Sequence, residues 1–158
     1  MHKGRVMKRL KALVMATGLI AATAPATVAT GAGQGVILVY ELRAAAADPA
    51  VAAKLAPGVK LFFGDEPAKV VSEVGATETS RVGVRPARRT PISARCIRVA
   101  GNALITLSEE AKAKGGNALV GIRSNYAGRP GAAPGKFECV LGLQMVTVSL
   151  AASIAVVE

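Results

Sequence analysis

The sequence predicts an α+β domain, and three observations predict it. Residues 93–114 carry small and apolar side chains at helical spacing. Short runs rich in β-branched residues lie on either side of that stretch. The carboxy-terminal run from Cys139 to Val157 contains no charged residue and alternates rather than repeating in threes and fours.

Ahead of the domain, residues 1–29 read as a signal peptide. Lys3, Arg5, Lys8, Arg9 and Lys11 form a basic start without acids, and Ala12 to Ala29 is uncharged, small and apolar. Ala26 and Ala29 are the candidate cleavage positions, because a cut after Ala24 would leave Pro25 first. The alternative is an uncleaved anchor, which Pro25 and the richness in Ala, Thr and Gly argue against. No cysteine lies near the cleavage zone, so a lipid-modified amino terminus is not expected. The expected location is the bacterial periplasm or the outside of the cell.

Removing the leader leaves 129 residues, enough for one core. It also takes away five of the 20 basic residues and none of the ten acids, so the net charge falls from +10 to +5. That weakens any argument for nucleic-acid binding from charge, and with no Trp there is no aromatic ladder to stack bases.

Residues 30–58 read as an amino-terminal extension. Thr30–Gly35 is a flexible start, and Val36–Leu42 is a short strand or lead-in. Asp48 and Pro49 open a short helix, as cap and first-turn residue, which runs about two turns to Leu55 before Pro57-Gly58 stops it. Val59–Phe63 is the next strand. Lys69–Val74 is another, with Val82–Val84 resuming after a turn, and Pro86–Pro91 is an exposed loop.

The main helix spans Ser93 to Lys114. Ile97, Ala100, Gly101, Leu104, Leu107, Ser108 and Ala111 form its buried face, and Gly115-Gly116 ends it. Asn117–Asn125 enters a buried strand, Ala127–Gly135 is an unstructured loop, and Phe137–Glu158 holds one or two strands. Both faces of that last stretch are apolar, as in a sheet covered on both sides or buried in an oligomer. Gln144, Thr147, Ser149 and Ser153 argue for strand over membrane span.

Cys96 and Cys139 are the only cysteines, and in an oxidising compartment they are expected to form a structural disulfide. Closing a loop of about 43 residues is worth roughly 4 kcal/mol. A redox-active pair is the alternative, but such pairs usually stand as Cys-x-x-Cys. The only histidine, His2, lies in the leader, which removes Ser-His-Asp, Cys-His and zinc chemistry from the mature chain. Gly131–Lys136 resembles a phosphate loop superficially, yet Pro130 replaces its first glycine and Phe137 its magnesium-binding hydroxyl. Glu109 and Glu110, neighbours on a helix, do not converge on one proton, and Asp65-Glu66 sits in a turn and reads as solvated. No cofactor, metal site or catalytic residue is predicted.

Arg81, Arg85, Arg88, Arg89, Arg95 and Arg98 form the densest basic stretch, with no acid between Glu78 and Glu109. Arg85, Arg88 and Arg89 are the candidate anion-binding residues, for lipid head groups or envelope polymers. The competing reading is a solvated loop.

One further pattern spans residues 59–158. Cys96, the helix through Ala103-Leu104, and Ala111 to Ile122 (AKAKGGNALVGI) resemble the YbjQ/RcsF-like superfamily, in which a helix ends in a Gly-Asn-Ala pattern and enters a strand. Val59–Gly64, Ser124-Asn125-Tyr126 and Phe137-Glu138-Cys139 are similar to a group of small secreted bacterial proteins that carry the misleading name of an ABC excinuclease. The nucleotide-binding and zinc motifs of an excinuclease are absent, so DNA repair is not implied. The resemblance implies a two-layer α/β sandwich with one main helix on a mostly antiparallel sheet. It also implies homo-oligomers, heavy-metal binding or envelope sensing through protein partners, although the soft metal ligands and the lipid-acceptor cysteine of those relatives are missing here. Gly115, Gly116, Asn117 and Ala118 read as a structural motif in which glycine takes positive φ, Asn satisfies backbone groups and Ala lets the strand pass beneath the helix.

The functional expectation is an exported, disulfide-stapled binding or envelope-sensing module without catalysis, with an unknown protein partner or self-association through its carboxy-terminal strands. The alternatives are a basic protein that binds anionic lipid or polymer, and a periplasmic thiol oxidoreductase.

Overall fold

A computed structural model describes residues 35–84, 90–128 and 131–158. Residues 1–29, read above as a signal peptide, and Arg85, Arg88 and Arg89 lie outside the described residues.

Among the described residues, six strands and three α-helices follow in the order β1 (Val36–Glu41), α1 (Leu42–Ala46), α2 (Pro49–Ala52), β2 (Lys60–Phe63), β3 (Val70–Val84), α3 (Ile92–Ala113), β4 (Ala118–Ser124), β5 (Lys136–Leu141) and β6 (Met145–Val157). The expected two-layer sandwich is overturned. Among the described residues strand outweighs helix, 42% to 29%, and the strands form one curled, mixed sheet, a half-barrel. The physical reason lies in β3 and β6, which run 15 and 13 residues. Strands of that length accumulate twist and cannot stay flat beneath one helix. The sheet is also mixed, because β2 pairs with β4 in parallel.

β6 organises the sheet. On one edge β3 pairs with its full length, from Val70 opposite Val157 to Val84 opposite Met145. The other edge is divided: β4 takes Leu150 to Ala155, and β5 takes Val146 and Thr147. β1 then pairs with β5 from Val36 opposite Leu141 to Glu41 opposite Lys136. The backbone N–H of Asn125 donates to Ser149 O (2.9 Å) in the gap between β4 and β5.

The sequence predicts two pieces separated by a turn where β3 stands. Instead β3 slips register between Val70 and Ser72 and again between Glu73 and Gly75, and continues unbroken. The helix at Asp48-Pro49 is one turn rather than two, capped by the Asp48 carboxylate accepting from Ala50 N (2.9 Å). Residues 36–58 supply β1 to the sheet and Leu42, Ala45 and Val51 to the buried interior.

The main core lies between α3 and one face of the sheet. Cys96, Ala100, Leu104, Leu107 and Ala111 of α3 meet Val146, Val148, Leu150, Ala152 and Ile154, alternate residues of β6. Ile97 packs against this core only partly buried. A smaller cluster of Ala118, Ala155 and Val157, with Phe62, Ala68 and Val120, covers the opposite face. Gly101 and Ser108 seat the chain before β2: Val51 occupies the space of a Gly101 side chain, and Ser108 Oγ accepts from Ala56 N (3.0 Å).

The end of α3 sets the helix against β6. Gly115 takes a left-handed φ of 82°, and its N–H donates to Lys112 O (3.0 Å) while that of Gly116 donates to Ala111 O (2.9 Å). These two bonds close the helix as a Schellman motif. A Cβ on Gly116 would stand 2.4 Å from Ile154 Cγ2, so Gly116 permits the close approach expected of Ala118. Ala118 instead packs in the cluster on the other face. The Asn117 side chain brackets Val157, donating to its O (2.9 Å) and accepting from its N (2.7 Å).

Gly116→Ala should therefore cost about 1–3 kcal/mol through overpacking against Ile154. Asn117→Ala should cost a similar amount, about 1–3 kcal/mol, by leaving the Val157 backbone unpaired. Urea unfolding of each variant checks both values.

Candidate functional site

Cys96, in the second turn of α3, and Cys139, in β5, form a disulfide with their Cα atoms 5.8 Å apart. Both residues are fully buried, and Cys139 lies opposite Leu38 of β1. The position of the bond explains its worth. The pair of strands β1 and β5 joins β6 through only two residue pairs, Val140 with Thr147 and Leu141 with Val146. The disulfide ties this wing to the main helix. The Tyr40 and Phe137 rings, 5.9 Å apart, and Leu42 N donating to Gly135 O (2.8 Å) hold its far end.

Gly115, Gly116, Asn117 and Ala118 serve the fold, as described. The Ser124-Asn125 pair does too: Ser124 Oγ accepts from Glu138 N (3.1 Å), and Asn125 Nδ2 donates to Glu78 Oε2 (2.7 Å). Gly131–Lys136 runs directly into β5, so no helix amino terminus follows the segment that resembled a phosphate loop. Lys136 pairs with Glu41 at 3.2 Å instead. Gly131 lies over the buried side chain of Glu138, where a Cβ would stand 2.2 Å from Oε2.

Two concave surfaces share Arg123 of β4. A shallow groove of about 470 Å³ is lined by Thr77, Glu78, Glu110, Arg123, Asn125 and the backbone region Ala151–Ser153. A smaller one of about 300 Å³ lies between Gly64, Asp65, Gly121, Arg123, Ser124 and the Ala132–Pro134 turn. Sequence reasoning misses both, because the larger is lined from four separate segments and the smaller from three, which only the folded sheet and α3 bring together. Isolated Glu78 and Arg123 carry no spacing signal.

Glu110 accepts from Lys114 Nζ (2.6 Å) and from the Thr77 hydroxyl. Lys114 foremost, then Thr77, hold its carboxyl below the usual value of 4.5 against the opposing effect of burial. Glu110 is therefore a carboxylate at neutral pH, suited to accepting hydrogen bonds and unsuited to donating a proton. Among the described residues no group of three or more His, Cys, Asp or Glu side chains could hold a metal ion.

Because the folded state lowers the Glu110 value, its contribution to stability is present above 4.5 and is lost as pH falls through the depressed folded value. Glu110→Gln should lower stability at neutral pH and flatten the acid limb of the stability profile. Urea midpoints measured across the acid range check this.

No protein-family model, curated protein or solved structure matches this chain.

Proposed function

We propose that this is an exported, non-catalytic binding or sensing module whose shape depends on the Cys96–Cys139 bond. The observation that carries the reading is the disulfide's place: fully buried at both ends and holding a two-stranded wing to the main helix. A bond used this way needs an oxidising compartment to form and persist. The leader-like residues 1–29 supply the expected route there.

The same burial weighs against a thiol oxidoreductase, whose attacking sulfur must be reachable. The groove lined by Arg123, Glu78 and Glu110 offers charged and hydrogen-bonding side chains to a polar ligand or partner peptide. The sequence resemblance to the YbjQ/RcsF-like superfamily favours sensing or assembly over chemistry. Self-association through β6 itself would need a free edge, and both edges of β6 are occupied within the chain. The free edges among the described strands are those of β1, β2 and β3.

Peptide mapping of the exported protein under non-reducing conditions tests the reading. A quantitative peptide linking Cys96 to Cys139 is expected; free thiols on most molecules would contradict it. Replacing both cysteines with Ala should lower stability by roughly 3–5 kcal/mol, read by urea unfolding.

A further inference from the structure

One carboxylate of the sheet lacks what the others have. Glu66, Glu78 and Glu110 each accept a hydrogen bond, from Phe63 N, Asn125 Nδ2 and Lys114 Nζ. Glu138 of β5 is only 8% exposed, and its Oε2 is buried with no donor among the described residues. No described cation pairs with it, and Lys136, two residues away, is held by Glu41. Burying a carboxylate without donor or counter-ion is costly, and the charge that would relieve it is positive.

The cover over this group is backbone. A Cβ on Gly131 would stand 2.2 Å from Oε2 and 2.7 Å from Oε1, so glycine lets the chain lie directly on the carboxylate. Gly131 leads into Ala132, which lines the smaller hollow with Gly64, Asp65, Arg123 and Ser124. Ser124 is the second link, because its Oγ accepts from Glu138 N (3.1 Å). Glu138 therefore adjoins the hollow through both Ser124 and the Gly131–Ala132 segment. Asp65 stands exposed at its rim without a described partner. Two carboxylates against the one guanidinium of Arg123 favour a cation. A hard metal ion takes about six or more oxygens, and the described residues hold no cluster of acids to supply them. An ammonium needs fewer: it is a compact charge with donors of its own, small enough to reach an oxygen that only backbone covers.

We propose that this hollow binds a primary ammonium group, with Glu138 as its counter-ion and Asp65 at the rim. The proposal rests on the reading of a binding module and supplies its ligand class. Failure to bind amines leaves the disulfide map, which is measured separately, untouched.

Backbone amide NMR of the oxidised protein, titrated with butylammonium at neutral pH, tests it. Saturable shifts are expected at Ser124, Gly131, Ala132 and Glu138, and none with butanol, which has the same chain and no charge. Saturation by N-acetyl-lysine amide as well would extend the ligand to a lysine side chain of a protein partner, and saturation by butylammonium alone would restrict it to free amines. Glu138→Gln keeps the shape and removes the charge, and should weaken binding at least about tenfold; Asp65→Asn should weaken it by less than about fivefold. In amine-free buffer Glu138→Gln should be at least as stable to urea as the unmodified protein, because an uncompensated charge is gone. Equal shifts with amine and alcohol, no saturation with either, or amine binding indifferent to Glu138→Gln overturns the proposal. So does a Glu138→Gln protein less stable than the original without amine, since the carboxylate would then be satisfied within the chain.

Discussion

The structure depends on one strand being paired on both edges and covered on both faces. β6 takes β3 along one edge, β4 and then β5 along the other, α3 over one face and a small apolar cluster over the opposite one. A charged side chain in such a strand would be stripped of water on every side, at a cost several times what a surface ion pair returns. That is why Val146–Val157 is an uncharged strand and not a membrane-spanning helix. Val148, Leu150 and Ile154 are fully buried, and burying each contributes about 1.5–3 kcal/mol.

Dividing one edge of β6 between two partners has a consequence at each end. At the Val157 end, Asn117 extends the ladder with its own amide, and Gly116 brings the helix terminus into contact with Ile154. At the Met145 end, β5 holds only two positions, and the sheet continues outward into β1 with little purchase. The covalent bond from Cys96 stands where non-covalent pairing is thinnest. It fixes the wing against α3, and so keeps the β5–β6 turn and the helix start at the same end of the molecule. The groove around Arg123 lies in the other half of β6, where β3 and β4 flank it and its carboxylates, Glu78 and Glu110, are hydrogen-bonded.

Much of this was legible in the residues. The span and buried stripe of α3, its Gly-Gly stop, β1, β2, β4 and the Cys96–Cys139 bond all follow from local patterns that physical chemistry ties to one conformation. The curl of the sheet was not legible, because it depends on strand length and on which strands share an edge. Gly75 to Ser80 shows why: GATETS has no apolar alternation and reads as a turn, yet pairing with β6 holds it extended beyond two register slips. Ala118 shows the complementary failure. Its small size signals a close approach, but not which face is approached. The grooves were invisible for a different reason, since Thr77, Glu110 and Arg123 are distant in sequence and each is ordinary alone. Arg85, Arg88 and Arg89 lie outside the described residues, and their reading as anion ligands rests on sequence.

Amide hydrogen exchange of the oxidised protein tests the central role of β6 most directly. With β6 as the most protected strand, the amides of residues 148–156 should exchange only through global unfolding, and those of β1 and outer β5 sooner, through local opening. Reducing the disulfide should widen that difference. Exchange of β6 as fast as that of β1, or protection of the β1–β5 wing indifferent to reduction, would contradict it.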